Sequence, residues 1–231
     1  MGAIAVIGGT GHHGFALAAR LCRGGHRVIV GSREEARAME AASRIRALIT
    51  VGEVTGAAKR QVTEAGKWEV TGAGNQEAAA AAEVVVLTIP FAAQDEILTA
   101  IAPAVSGKVV VDTTVPLRRG TPPELEPVAA GSAAQAAQAR LPDARVVAAF
   151  HTLSAALLAR LDQPLEGDTL LCGNDAEAKR AVAELAETLG VRALDAGPLG
   201  QAGALERLAA LIIGLNKRYG RKAIGVRFTG V

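Results

Sequence analysis

From Ala3 to Cys22 the chain reads as an apolar, largely β-branched run, Ala3-Ile4-Ala5-Val6-Ile7, then a glycine-rich turn, then the helical stretch Phe15-Ala16-Leu17-Ala18-Ala19-Arg20-Leu21-Cys22. Gly24-Gly25 closes that helix as a C-cap. A buried strand running straight into a turn and a helix is the opening unit of a parallel α/β sheet. The turn constrains the chain further, because Gly9, Gly11 and Gly14 fall at G-x-G-x-x-G spacing. The first glycine permits a tight turn, the second lets backbone approach a pyrophosphate, and the third lets the helix pack on the strand. The helix expected from about His13 points its unpaired N–H groups and positive dipole end at the phosphates. A dinucleotide site is therefore expected at this first turn.

The second strand, His26 to Val30, says which dinucleotide. It ends in Gly31-Ser32-Arg33, where an NAD-binding chain places an acid on the ribose hydroxyls about 20 residues past the fingerprint. No carboxylate stands there. Arg33, with Arg37 one helical turn on, supplies guanidinium forks suited to a phosphate, and Ser32 adds a hydroxyl. NADP is therefore expected rather than NAD. Ser32 with Glu35 also spells a capping box for the following helix, and both roles can hold together.

Downstream, strands and helices alternate. The second helix is expected to about Leu48, then a short strand at 68–70, a helix at 75–82 and the continuous apolar strand Val84-Val85-Val86-Leu87. Pro90 ends that strand and opens a helix over 91–101. Strands are expected at 108–112 and 145–150, with a helix at 133–140 between them. The proline-rich stretch 116–132 reads as a loop or lid. The remainder carries a strand at 169–172, a helix at 175–189, a strand at 191–195 and a long helix to about Lys217. A closing strand is expected at Ile224–Phe228. The fold class is α/β, a Rossmann-type doubly wound parallel sheet with a small C-terminal α/β domain, divided as 1–152 and 153–231. Ligands belong at the carboxyl ends of the strands: Gly8–Gly14, Gly31–Arg33, Thr88–Phe91, Asp112–Pro116 and His151–Ser154. On the long helix Leu205, Leu208, Ile212 and Leu215 form one stripe, suited to the core or to a homodimer interface.

Half of the 231 residues are hydrophobic but only 3% are aromatic, which argues against a protein that reads nucleic acid by stacking on bases. Net charge is only +2, yet no acid follows Glu206, while Arg207, Lys217, Arg218, Arg221, Lys222 and Arg227 do. That distribution suits an anionic second ligand. Cys22 and Cys172 have no metal or redox spacing and read as buried small hydrophobes. His12 and His13 diverge in direction and lack neighbouring ligands, so no metal site is expected. No apolar run approaches the ~20 residues of a membrane span, and a soluble cytoplasmic chain is expected.

Taken in order, Gly8-Gly9-Thr10-Gly11, Gly31-Ser32-Arg33, Leu87-Thr88-Ile89-Pro90, Val115-Pro116, His151-Thr152, Leu171-Cys172-Gly173 and Leu194-Asp195-Ala196-Gly197-Pro198-Leu199 resemble the NADPH-dependent reductases of coenzyme F420, the 8-hydroxy-5-deazaflavin. The resemblance runs nearly end to end. It implies reversible hydride transfer between nicotinamide C4 and deazaflavin C5, chemistry carried by the cofactors and needing no catalytic nucleophile or base from the protein. It also implies that Thr10, Gly11, His12 and His13 hold the NADP phosphates and that Ser32, Arg33 and Arg37 hold the 2′-phosphate. Ile89, Val115 and Ala155 would flank the nicotinamide; His151, Leu153 and Ile224 would meet the deazaflavin; Thr88, Ile89 and Pro90, with Phe91, would shape the cleft wall. His151 would donate a hydrogen bond to a deazaflavin oxygen, against the plainer reading of a packed core histidine. The basic tail suits a cofactor that ends in a phosphate and a glutamate chain, whereas Asp112 would repel it if it faced inward. Two alternatives stay open: another hydride acceptor such as a flavin or metal chelate, or a non-catalytic NADPH sensor.

Overall fold

Every residue of Ile4–Ile7 (β1), Val84–Leu87 (β4) and Val109–Asp112 (β5) is buried, so these strands form the middle of a sheet covered on both faces. The computed structural model describes residues 2–54, 68–118, 120 and 123–231. Alternating with the sheet are helices α1 (His12–Arg23), α2 (Glu35–Val54), α3 (Asn75–Ala81), α4 (Gln94–Ile101), α5 (Ala133–Arg140), α6 (Ala155–Leu158), α7 (Ala176–Leu189) and α8 (Ala202–Arg218). The remaining strands are β2 (Arg27–Ser32), β3 (Glu69–Gly74), the short pair β6 (Leu117–Arg118) and β7 (Glu124–Leu125), β8 (Arg145–Ala149), β9 (Asp168–Gly173) and β10 (Arg192–Asp195). The large sheet runs β10-β9-β8-β5-β4-β1-β2-β3, and within it only the β8–β9 pair is antiparallel. The same sheet continues across the 152/153 boundary, because β9 pairs with β8.

The chain moves outward from β1 through β2 to β3, then returns to lay β4 on the other side of β1. That reversal opens a crevice at the carboxyl ends of β1 and β4, where the glycine turn and Thr88-Ile89-Pro90 meet. Two apolar layers flank the sheet. One is built with α1, α2 and α7, through residues such as Leu17, Leu21, Ile45, Val182 and Leu185. The other uses α3, α4, α5 and the start of α8, through Ala78, Leu98, Ile101, Ala137 and Leu205. Burying one such Leu or Ile side chain contributes roughly 1.5–3 kcal/mol. Cys22 and Cys172 are buried free thiols, as their sequence context implied, and burial pushes both up to about 12.

Three local expectations are corrected. The second helix does not stop near Leu48 but continues to Val54. Ser32 does not form a capping box with Glu35, since its Oγ accepts from the Glu34 N–H at 3.3 Å and the helix begins only at Glu35. The segment Ile224–Phe228 is not a strand. Beside a backbone contact from Asp168 N–H to Val226 O (2.7 Å), side chains hold its backbone in place of a ladder: Ile224 N–H donates to Asn216 Oδ1 (3.1 Å) and Phe228 N–H to Asp168 Oδ2 (2.6 Å). In the loop expected over 116–132, β6 and β7 form a short antiparallel pair. Residues 119, 121 and Pro122 of that loop lie outside the described residues.

Candidate active site

The fingerprint turn is bound to the end of the second strand: Gly8 and Gly9 N–H groups both donate to Gly31 O, at 3.1 and 3.2 Å. This places Ser32 and Arg33 beside the turn. The three fingerprint glycines serve different neighbours. A Cβ on Gly14 would lie 2.3 Å from Thr88 Oγ1 and 2.7 Å from Gly8 O, so α1 meets β4 there with no room for a side chain. A Cβ on Gly9 would meet Val6 O at 2.8 Å and Val30 Cγ1 at 2.9 Å. A Cβ on Gly11 would meet only Gly8 O, at 3.3 Å. The protein itself thus has little need of a glycine at position 11, and the space there suits a ligand's approach. Gly11 is the N-cap of α1 and offers no side-chain cap, leaving the first N–H groups of the helix available to an anion.

These elements open into one cavity of about 940 Å³. Thr10, Gly11, His12, His13, Thr88, Ile89, Val115, His151, Leu153 and Ala155, all singled out from the sequence, line it together. Gly9 and Gly14 stand behind it as packing, and Ser32, Arg33, Arg37, Pro90 and Ile224 are not part of its lining. Arg33 is exposed, and Arg37 forms an exposed ion pair with Glu34 at 3.3 Å.

The second wall comes from the end of β8. Phe150 is buried with φ 65°, a left-handed conformation that costs a non-glycine residue about 1–3 kcal/mol and is held only by its surroundings. Its N–H donates to Thr169 Oγ1 (3.2 Å) and its carbonyl accepts from Leu153 N–H (3.1 Å). The turn that results directs His151 toward Thr114, whose carbonyl lies 3.3 Å from His151 Nε2. A carbonyl only accepts, so Nε2 carries the proton and Nδ1 is a bare acceptor. With Nε2 engaged there, the atom that His151 offers to other groups is the acceptor Nδ1, not a donor. His151 Nδ1 and His13 Nε2 are both buried without a protein partner. Burial pushes both imidazoles down to about 4, and a charge on His151 is further disfavoured by His13. They are neutral at physiological pH.

Asp112 does not face the cavity. It is fully buried, accepts from Gln94 Nε2 (2.9 Å) and Thr114 N–H (2.7 Å), and is raised by burial against those hydrogen bonds. The repulsion expected of it toward an anionic ligand is thereby removed. Close to it lies Glu206 of α8, 1% exposed, which accepts from Ala134 N–H at 3.3 Å. Burial pushes Glu206 up to about 7, and Asp112 adds to that shift.

Several lining residues escaped the sequence reading, among them Phe15, Arg44, Ile212 and Asn216. Arg44 stands over the Phe15 ring at 5.0 Å. Its distance from Arg33, roughly three turns of helix, was a usable signal. Asn216 continues the Leu205, Leu208, Ile212 stripe, and an amide on an apolar stripe was another.

A doubly wound sheet, a glycine turn at its switch point and a helix end open to anions define a Rossmann-type dinucleotide-binding protein. Residues 3–116 match the family described as NADP oxidoreductase coenzyme F420-dependent. The chain is 36% identical over 236 residues to the F420-dependent NADP reductase of Methanocaldococcus jannaschii, covering 99% of this chain and 98% of that protein. It is 37% identical over 234 residues to the protein of the same name from Methanothermobacter marburgensis, covering 99% and 98%. Among solved structures it is similar to a candidate F420-dependent NADP-reductase of Arthrobacter sp. FB24, with TM-score 0.77, 29% identity and 98% of each chain covered. The chain belongs to the F420-dependent NADP reductase family.

Proposed function

We propose that this protein transfers hydride reversibly between NADP(H) and coenzyme F420 inside the single cavity at the sheet's switch point. The observation that carries this is the joining of two walls: the fingerprint turn with Thr88 and Ile89 on one side, the β8 end and α8 on the other. The nicotinamide and the deazaflavin supply the hydride chemistry themselves. The chain's part is to bind, orient and exclude water. Thr10, Gly11 and the start of α1 hold the NADP phosphates; Ser32 and Arg33 at the end of β2 face the 2′-phosphate, and Arg37 joins them by releasing Glu34. Ile89, Val115 and Ala155 flank the nicotinamide, and Leu153 and His151 meet the deazaflavin. His151 Nδ1 accepts from a ring N–H, for which the fixed proton on Nε2 prepares it. The buried, partnerless Nδ1 of His151 and Nε2 of His13 fit polar cofactor edges that complete their hydrogen bonding.

Residues 153–231 are proposed as the part that completes the deazaflavin side. Among the described residues no helix is long and apolar enough to cross a membrane, and a cytoplasmic homodimer is proposed. The exposed Leu211 (58%) beside the Pro123–Pro127 groove supports the dimer.

Direct transfer has a clear isotopic test. With NADPH deuterated on the transferring face of C4, the label should arrive on the reduced deazaflavin; full loss of label to solvent would contradict a shared, water-excluding cavity.

A further inference from the structure

We propose that residues 217–222 form an anion-binding arm for the phosphate-and-glutamate tail of the deazaflavin, and that the Asp168–Arg192 pair is the positioning device holding this arm at the cleft. The inference rests on the F420 reading above and deepens it. Of the six cations after Glu206, Lys217, Arg221 and Lys222 line the cavity, and no Asp or Glu is among its described lining residues. NADP has its own provision in Arg33 at the end of β2 and the open N–H groups at the start of α1. Cations on α8 and the segment after it therefore serve a second anion.

Past Arg218, where α8 ends, the arm is neither helix nor strand, yet it and the residues flanking it are fixed at successive points. Ser154 Oγ donates to Lys222 O at 2.5 Å, and Ser154 itself lines the cavity. Lys217 Nζ donates to Gly120 O at 3.2 Å, and Asn216 Oδ1 accepts from Ile224 N–H at 3.1 Å. Beyond the arm, Asp168 N–H donates to Val226 O at 2.7 Å. The Asp168 carboxylate is 4% exposed and is gripped by Arg192 Nε and Nη2 (3.1 and 2.7 Å) and by Phe228 N–H (2.6 Å). Arg192 also donates to Phe228 O (2.5 Å) and Val231 O (2.6 Å). A nearly buried carboxylate with a bidentate partner is an investment in position, since removing either partner leaves a charge or backbone donor unmatched. What it positions is the chain end that follows Arg221 and Lys222.

The experiment compares two acceptors with NADPH as donor: F420, and the same 8-hydroxy-5-deazaflavin ring with its ribityl chain but no phosphate or glutamate. In Arg221→Gln/Lys222→Gln the ratio of KM for F420 to KM for the tail-less ring should rise roughly three- to tenfold, as expected for two exposed charge contacts. In the wild type, added salt should raise the KM for F420 more than that for the tail-less ring. Arg192→Gln should raise the same ratio through a loosened arm, with Arg192→Lys falling between it and the wild type. An unchanged ratio in the double variant, or equal rises for both acceptors, overturns the arm. A raised ratio in the double variant with none in a folded Arg192→Gln overturns the positioning role. Wild-type protein that reduces neither acceptor would instead sink the F420 reading itself.

Discussion

The fingerprint glycines separate what the fold needs from what the ligand needs. Gly14→Ala puts a methyl group against Thr88 Oγ1 and Gly8 O and should destabilise the protein by about 1–3 kcal/mol in a denaturant titration. Gly11→Ala meets only one carbonyl, at 3.3 Å, so its melting temperature should stay close to wild type while NADP affinity falls at least tenfold. A Gly11→Ala protein that binds NADP normally would remove the pyrophosphate from this turn. Arg33→Ala should weaken NADP roughly tenfold to a hundredfold, the worth of a hydrogen bond to a charged group, and leave NAD binding nearly unchanged. Equal weakening of both nucleotides would end the 2′-phosphate assignment. For His151, replacement by Ala should lower turnover with NADP affinity intact, whereas unchanged turnover would retire its contact with the deazaflavin. The sequence placed His151 at a strand end, but its polarity was invisible there. That depends on the Thr114 carbonyl, 37 residues away, and on the left-handed Phe150 that brings the two together.

At the scale of elements, periodicity and apolar runs located the strands well, because β1, β4 and β5 are buried along their whole length and carry an unambiguous pattern. The expected strand at Ile224–Phe228 fails for a physical reason: apart from Val226 O, which accepts from Asp168 N–H, its backbone is held by the side chains of Asp168, Arg192 and Asn216. Asp112 and Glu206 were likewise unreadable as a pair, being brought together by packing of α8 on α5. That pair gives α8 a pH dependence. Glu206 is raised from 4.5 to about 7 in the fold, so between those values the native state keeps a proton that the unfolded chain releases. Stability from this group is complete below about 4.5 and is lost as pH rises toward 7. Glu206→Gln, which imitates the protonated form, should raise the melting temperature at pH 8 and have little effect at pH 4.5, with a gain of about 1–3 kcal/mol at the higher pH. A lower melting temperature at pH 8 would mean that the ionised carboxylate is itself a needed partner of the α5 N-terminus.

For the whole molecule, the doubly wound sheet and the nucleotide turn were legible because each is built from contiguous residues. The second half of the cavity was only partly so, since its lining is drawn from β8, α6, α8 and the arm, far apart in the chain. The central claim is that these two halves bring two cofactors into hydride contact. The most direct test mixes purified protein with NADPH and oxidised F420 and follows the deazaflavin's visible absorbance, with NADH and FMN as parallel controls. Bleaching that requires both NADPH and F420 is the predicted result. No bleaching, with NADPH still bound, would contradict hydride transfer to the deazaflavin and leave only the nucleotide half of the site in place.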